Sequence, residues 1–231
     1  MPNLFRRAAS PIAAPLVSLV LLTVFVAAPF HAAAQSSAPP TALEKQLDRM
    51  DFAISAAGML TSTVSGIQQR DKTPLKIDPS STVGEIATLR YTAKPWFGLE
   101  FNFSNSRWNH NYISTPNLLV GGVQTSNHEM DFGYVAHPKW KPLGIQPFLG
   151  AGAGTIRFKP TTFGGEGLPE QYRMVYYWHV GLEDNFPGSH FGMRLAFRQL
   201  IYLEPDFGQN YLTITRRVTT DDPTIGFFVR F

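Results

Sequence analysis

Pro223-Thr-Ile-Gly-Phe-Phe-Val-Arg-Phe231 closes the chain and is its most informative stretch. Successive side chains of a strand point to opposite faces, so this stretch would have one wholly apolar face, made of Ile225, Phe227, Val229 and Phe231. An apolar strand at an open sheet edge is an aggregation hazard in water. A closed barrel has no such edge, and lipid can solvate the apolar face. The stretch therefore favours the last strand of a transmembrane barrel, and the buried last strand of a soluble sandwich is the alternative.

The same two-residue alternation recurs along the chain. Its clearest example is residues 97–104, where four apolar side chains alternate with small or polar ones. Similar patterns occupy residues 52–61, 85–91, 129–135, 174–183 and 191–198, and residues 145–158 supply one further strand. Most of these segments are close to the roughly 9–11 residues that a tilted strand needs to cross a bilayer. We therefore predict an all-β fold, an eight-stranded antiparallel up-and-down transmembrane β-barrel over residues 51–231.

The strand at residues 145–158 contains Gly150, Gly152 and Gly154 in one parity. A glycine-rich run invites interpretation as a phosphate-binding loop, but no helical pattern and no Lys-Ser/Thr pair follows it. Glycines of one parity instead indicate a strand that bends tightly or packs against a bulky side chain in the barrel lumen. The pattern leaves open which face of this strand meets lipid.

The N-terminus has the features of an export signal. Arg6 and Arg7 precede an apolar run of 13 residues, from Leu16 to Ala28, which is too short to span a bilayer as a helix. Three alanines ending at Ala34 have the small-x-small form of a cleavage site. We predict a signal peptide over residues 1–34, cleaved between Ala34 and Gln35.

The remaining chain begins with a lead-in over residues 35–50, which we predict to be periplasmic and mobile. Thr41 and Glu44 are spaced as a capping box, but a helix of about ten residues is marginal in water.

Without the 34-residue signal, the 231 residues become 197, with 18 basic and 17 acidic side chains. A formal charge of +1 argues against a nucleic-acid partner. The absence of cysteine excludes lipoprotein attachment and disulfides.

Connections between the predicted strands alternate in length. Residues 65–82, 160–170 and 204–221 are long and residues 113–123 intermediate, whereas residues 93–96, 137–143 and 186–189 are short. This alternation is expected when one end of a barrel has tight periplasmic turns and the other has loops that face outward. Aromatic residues fall near both ends of the strands, where two interfacial girdles would lie: Trp96, Trp108, Trp140, Tyr172 and Tyr202.

With these features in place, residues 50–231 resemble the small bacterial outer-membrane β-barrels of the outer-membrane protein A and X kind. Residues 96–104, 146–154 and 191–198 look like strands of that family, and the terminal stretch through Phe231 resembles its assembly signal. The resemblance implies a monomer in a Gram-negative outer membrane, in contact with outer-membrane lipid. It also implies periplasmic chaperones and the barrel-insertion machinery as partners during biogenesis. Because members of the group are structural, adhesive or pore-forming, the resemblance specifies architecture and names no extracellular ligand.

The parity that faces the predicted lumen carries nine charged or titratable residues: Arg90, Glu100, Glu129, Asp131, His179, Glu183, Arg194, Arg198 and Arg230. Near-equal numbers of acids and arginines predict an internal salt-bridge network, because an unpaired buried charge is costly. An eight-stranded barrel filled in this way has little room for a water-filled pore. We interpret His179 as a member of the network rather than as a catalytic base.

These features predict a non-enzymatic envelope scaffold or surface-interaction protein that acts through its extracellular loops. A narrow solute channel is the first alternative. A lipid-modifying enzyme is the second, but neither His110 with Ser114 nor His128 reproduces the pairing of His and Ser on a lipid-facing strand that such an enzyme uses. No catalytic, cofactor or metal site is predicted, since no His or carboxylate cluster has ligand spacing.

Overall fold

The computed structural model describes residues 41–68, 72–114, 118–207, 212–213 and 216–231. The predicted signal peptide, its cleavage site and residues 35–40 lie outside these ranges. Within them a short helix, α1 (Ala42–Leu47), precedes the strands. The strands are β1 Met50–Thr61, β2 Val64–Gln68, β3 Pro74–Pro79, β4 Thr82–Lys94, β5 Phe97–Ser114, β6 Leu118–Ala136, β7 Gln146–Pro160, β8 Gln171–Asn185, β9 Phe191–Leu203, β10 Leu212–Thr213 and β11 Arg217–Arg230. A 3₁₀ turn at Pro142–Gly144 precedes β7.

Eight of these strands close into a barrel, which confirms the predicted fold. The order is β1, β4, β5, β6, β7, β8, β9 and β11, and β11 pairs with β1, every pair being antiparallel. If the paired residues are followed from Asp51 of β1 through all eight strands, the path returns to β1 at Thr61, ten residues further along the chain. With a rise of ~3.3 Å per residue and strands ~4.8 Å apart, this stagger tilts the strands by about 40°, as barrel closure requires.

The two ends of the barrel differ in construction. We call the end that holds Met50 and Arg230 the terminal end, and its connections are residues 95–96, 137–145 and 186–190. At the opposite end, the distal end, the walls continue beyond the eight-strand ring. There β2 pairs with β3, β3 continues along residues 110–114 of β5, and β10 pairs with β2.

The distal walls correct the prediction of long loops. Residues 65–82 are mostly the β2–β3 hairpin, residues 113–123 belong largely to β5 and β6, and β11 already begins at Arg217. The sequence pattern missed these strands because their outward-facing residues, such as Lys76 and Asp78, are polar, so they lack the apolar outer face by which the membrane strands were identified. Residues 161–170 do form a connection without strands.

A belt of apolar side chains surrounds the terminal part of the barrel. On β8 its members, from Tyr172 to Leu182 at every second position, are between 41 and 60 % exposed. Ten residues at ~3.3 Å each, tilted by about 40°, cover roughly 25 Å, which is the height of the apolar band on transmembrane barrels. The outward parity predicted for the strands other than β7 is confirmed, including that of Ile225, Phe227 and Phe231.

Inside and outside exchange character beyond this belt. On β5 the outward residues change from Phe101 and Phe103 to Asn105, Arg107 and Asn109. The inward residues change in the opposite sense, from buried polar groups to a large apolar cluster, whose members on this strand are Trp108 and Tyr112. The distal part is therefore built like a water-soluble barrel, and the terminal part like a membrane-embedded one.

Helix α1 confirms the predicted capping box, and for residues 41–50 it corrects the prediction of a mobile lead-in. The Thr41 hydroxyl accepts a hydrogen bond from the Glu44 amide, and the Glu44 carboxylate accepts one from the Thr41 amide. Tyr91 of β4 donates to Gln46, and the Thr92 amide donates to the Arg49 carbonyl, so the end of the lead-in is fixed to the barrel wall. No helix among the described residues has the length and apolar character to cross a membrane.

Candidate functional site

The glycines of β7 make room for the filling of the lumen. Gly150, Gly152 and Gly154 face inward, which settles the parity that the sequence left open. A Cβ on Gly150 would collide with the His179 imidazole, and one on Gly152 would collide with the Tyr177 ring. The interpretation of this run as packing against bulky lumen side chains is thereby confirmed.

A charged group fills the lumen at the terminal end, and we call it the terminal cluster: Asp51, Arg90, Glu100, Glu183 and Arg194. Arg90 donates to Glu183 at 2.9 Å and to Glu100 at 3.0 Å. Arg194 donates to Glu183 and to Asp51, at 3.0 Å in each case. All five residues are buried, so each charge is compensated within the barrel rather than by water.

Aromatic and imidazole rings complete this cluster. The Arg90 guanidinium lies 4.7 Å from the centre of the Phe148 ring, and Tyr177 donates to Glu100 at 3.0 Å. The His179 Nε2 atom lies 2.9 Å from a Glu100 oxygen. His179 is thus placed within the network, while Arg230 lies at its edge, 3.6 Å from Glu183 and with 39 % of its side chain exposed.

A second group lies nearer the middle of the barrel, and we call it the central cluster: Glu129, Asp131, Arg198 and Asp222. Arg198 donates to Glu129 and, at 2.6 Å, to Asp131. Ser104 donates to the second oxygen of Glu129 at 2.8 Å. Asp222 is fully buried beside this group. The two arginines of β9, Arg194 and Arg198, therefore have separate carboxylate partners.

An apolar plug closes the lumen at the distal end. Trp108, Phe158 and Tyr202 pack with ring centroids between 5.7 and 6.1 Å apart, and Phe207 lies against His110. Within the plug, His110 Nδ1 lies 2.8 Å from Glu204, and its Nε2 lies 3.3 Å from the Thr125 hydroxyl.

The plug shows that two predicted interfacial aromatics are wrong. Trp108 and Tyr202 are only 1 and 2 % exposed and lie inside the barrel. Both have the inward parity of their strands, so their side chains point into the lumen. They were assigned to the interface because they lie near predicted strand ends, but β5 continues past the belt, so that position is not at the membrane interface. Trp96, Trp140 and Tyr172 are exposed on the outside of the barrel.

Sequence reasoning missed several buried charged residues. The described lumen holds seven buried carboxylates against three buried arginines, where near-equal numbers were predicted: Asp51, Glu100, Glu129, Asp131, Glu183, Glu204 and Asp222, with Arg90, Arg194 and Arg198. Asp51 and Asp222 have the inward parity and stand one residue outside the segments that defined the strands, so extending the parity by one residue would have found them. Glu204 and His110 lie in the distal part, where the sequence lacks the outward apolar alternation that identified the membrane strands.

The lumen holds a small cavity between its two charged clusters. A cavity of about 30 Å³ lies between the terminal and central clusters, beside Arg90, Arg194 and Arg198. This volume suits one or two water molecules. A wider vestibule of about 320 Å³ opens at the terminal end, lined by Arg49, His137, Lys141, Glu183 and Arg230 among others.

The candidate enzyme residues do not form an accessible site. Glu204 and Thr125 occupy both ring nitrogens of His110, so Ser114 on the same strand has no free imidazole there. Thr125, His110 and Glu204 are sealed in the plug. His128 faces outward beside Phe103. The described residues contain no group of three His, Asp or Glu side chains suited to a metal ion.

Outside the barrel, Glu170 in the connection between β7 and β8 accepts two hydrogen bonds from Arg157, at 2.8 and 2.9 Å. These hydrogen bonds hold the pKa of the Glu170 carboxyl below its usual value. A carboxylate with a lowered pKa keeps its ion pair at neutral pH and loses it only as the pH falls through the lowered pKa. The contact therefore persists at neutral pH on the distal surface.

Comparison with known proteins adds evidence about the fold. No protein-family model and no curated protein matches the chain. Neisserial surface protein A aligns with a TM-score of 0.50 and 11 % identity, over 79 % of this chain and 97 % of that one. The outer membrane protein OprG from Pseudomonas aeruginosa aligns with a TM-score of 0.51 and 14 % identity, over 78 % and 95 % of the two chains. Together with the closed ring and its apolar belt, these matches establish that the chain has the fold of the small eight-stranded outer-membrane β-barrels.

Proposed function

We propose that the protein is a monomeric, non-enzymatic outer-membrane barrel with a closed lumen. Its role is that of an envelope scaffold that presents the distal walls and connections for interaction outside the cell. The observation that carries this proposal is the filling of the lumen. Two charged clusters and an apolar plug follow one another along the axis, and the space between the charged clusters is about 30 Å³. A solute path would have to disrupt ion pairs and aromatic packing in turn.

The proposed orientation places the terminal end in the periplasm. The lead-in and the last strand meet there, and a signal peptide would deliver the chain from that side. The distal walls, polar outside and apolar inside, suit an aqueous space beyond the outer leaflet. The apolar outward face of the last strand, through Val229 and Phe231, supports recognition by the insertion machinery.

A narrow channel is the second candidate, and the vestibule at the terminal end favours it, because its mixed charges would admit small polar solutes. Conductance distinguishes the two functions. We expect the refolded chain, without residues 1–34, to give no steady openings in a planar bilayer under an applied potential. Steady openings in the folded protein would replace the scaffold with the channel. A preparation that fails to insert would instead contradict the membrane-barrel function itself, and a heat-dependent gel shift of the folded form provides that control.

A further inference from the structure

A group of basic side chains lies on the outer wall immediately distal to the apolar belt. Arg107 of β5, His128 of β6, and Arg157 and Lys159 of β7 form what we call the basic patch. All four face outward, and the exposed fractions of the Arg157 and Lys159 side chains are 34 and 55 %. None of them contributes to the lumen.

The strand register brings these residues together. His128 stands opposite Arg157, while Ser126 stands opposite both Arg107 and Lys159. Neighbouring strands are ~4.8 Å apart and same-face residues ~6.6 Å apart, so the four Cα atoms fall within roughly 15 Å. Tyr172 of β8 stands opposite Arg157 and extends the row with an exposed aromatic ring.

The next row of outward residues, on the terminal side of the patch, belongs to the apolar belt. Phe103, Met130, Thr155 and Met174 stand opposite one another in the register. Phe103, Met130 and Met174 are exposed on the belt. A molecule that touches both rows must therefore carry apolar chains next to an anionic group.

The basic patch has more positive than negative side chains. Three permanent cations stand near two carboxylates. Glu170 lies within 2.9 Å of Arg157 and 3.9 Å from Lys159. Glu85 of β4 stands opposite Asn105, so it is the diagonal neighbour of Arg107. At the edge of the belt on the opposite wall the polar residues are acidic or neutral: Gln199 on β9 and Asp221 on β11. Guanidinium groups bind phosphate through paired hydrogen bonds, and juxtamembrane cations attract anionic headgroups.

We propose that the basic patch binds the phosphate-bearing headgroup of a membrane lipid whose acyl chains lie along Phe103, Met130 and Met174. The inference rests on the proposed insertion and orientation, which place the patch at the headgroups of the outer leaflet. A lipid fits better than a free anion because the apolar row continues directly from the cationic one. Glu170 competes with the phosphate for Arg157, so it tunes the affinity of the site.

The test uses the refolded chain without residues 1–34 in phosphatidylcholine bilayers that contain increasing fractions of phosphatidic acid, a lipid with a phosphate monoester headgroup. Native mass spectrometry of the released protein counts the retained phosphatidic acid. We expect Arg157→Gln and Lys159→Gln each to weaken retention about fivefold, the change that corresponds to one juxtamembrane cation. Glu170→Gln should strengthen retention.

The matched control is Arg217→Gln, which removes one exposed cation from the distal part of β11, three strands away from β7. Equal losses for Arg217→Gln and Lys159→Gln, or a weaker site after Glu170→Gln, would overturn the proposal. Displacement of the lipid by excess inorganic phosphate would reassign the patch to a free anion and also overturn it. Failure of the wild-type chain to insert counts against the proposed function instead. Lys159→Gln alone keeps the test valid if Arg157→Gln does not fold, because Lys159 has the weaker contact with Glu170.

Discussion

At the scale of single residues, the charged side chains of the lumen differ in how many oppositely charged partners they have. Glu183 contacts Arg90, Arg194, Arg230 and His137, so the loss of any one of them leaves the others in place. Asp51 is paired with Arg194 at 3.0 Å. Because a buried charge that loses its partner is costly, Asp51 is the group that depends most on Arg194.

We therefore predict that Arg194→Met destabilises the barrel by about 3–5 kcal/mol, the usual cost of breaking a buried pair from one side. Adding Asp51→Asn should restore part of that loss, because the stranded carboxylate becomes neutral. Denaturant unfolding in lipid vesicles gives both values as a double-mutant cycle. Arg217→Met, at an exposed arginine, is the control and should change little. Strictly additive effects of the two substitutions would show that Asp51 does not depend on Arg194.

At the scale of secondary-structure elements, β5 spans both environments. Its outward residues belong to the belt up to Phe103 and are polar from Asn105 to Asn111. The strand continues without interruption, so the position of the membrane boundary depends on side-chain chemistry and not on where the strand ends. The same substitution on the same face should therefore have different costs on the two sides of that boundary.

Phe101→Arg puts a charge on the lipid-facing side near the middle of the belt, where the expected cost is about 2–4 kcal/mol. Asn109→Arg puts the same side chain on the same face of the strand in the distal part, where we expect almost no cost. The measurement is again the free energy of unfolding in vesicles. Similar values for the two variants would mean that the belt does not end between these residues.

The last strand carries the proposed assembly signal. The Phe231 amide donates to the Met50 carbonyl at 3.2 Å, and its ring is half exposed on the outside of the barrel. Deleting Phe231 removes an apolar contact at the rim and the aromatic end that the machinery would recognise. We expect less assembled barrel in the outer membrane and more periplasmic aggregate or degradation product. Phe231→Tyr keeps an aromatic ring and serves as the control. Assembly of the deletion variant at wild-type levels would exclude a signal at this residue.

At the scale of the whole molecule, the barrel has two seals in series. Charged clusters fill the part within the belt, and an aromatic plug fills the part beyond it. Within the belt, the polar side chains point into the lumen and pair there, so the outer face can be apolar and meet lipid. Beyond the belt, the core is apolar, so the outer face can be polar and meet water. Opening one seal should leave the other intact.

Trp108→Ala should accordingly cost about 3–5 kcal/mol, as expected for a buried aromatic residue, and the barrel should still not conduct. Trp96→Ala, at a half-exposed tryptophan of the terminal rim, should cost much less. Unfolding in vesicles and planar-bilayer recordings on the same preparations provide the two measurements. Conduction by the Trp108 variant would mean that the plug alone closes the lumen. Equal costs for the two variants would mean that the plug is not tightly packed.

The sequence by itself determined, for seven of the eight membrane strands, which residues face lipid and which face the lumen; for β7 it left the two faces open. Parity is a local property, since successive side chains alternate whatever the strand is paired with. Phe97 to Ser104 therefore revealed its two faces without knowledge of its neighbours, and the glycines of β7 indicated close packing in the lumen before their partners were known.

Only the tertiary structure decided which lumen residues meet and how far each lies along the axis. Arg90 reaches Glu183 across 93 residues of chain because ring closure with a ten-residue stagger brings distant positions together. That stagger also sets the height of each residue, and parity carries no information about height. Trp108 and Tyr202 were assigned to the membrane interface because they lie close to predicted strand ends, although they lie in the plug. The β2–β3 hairpin was taken for a loop because its outward-facing residues are polar.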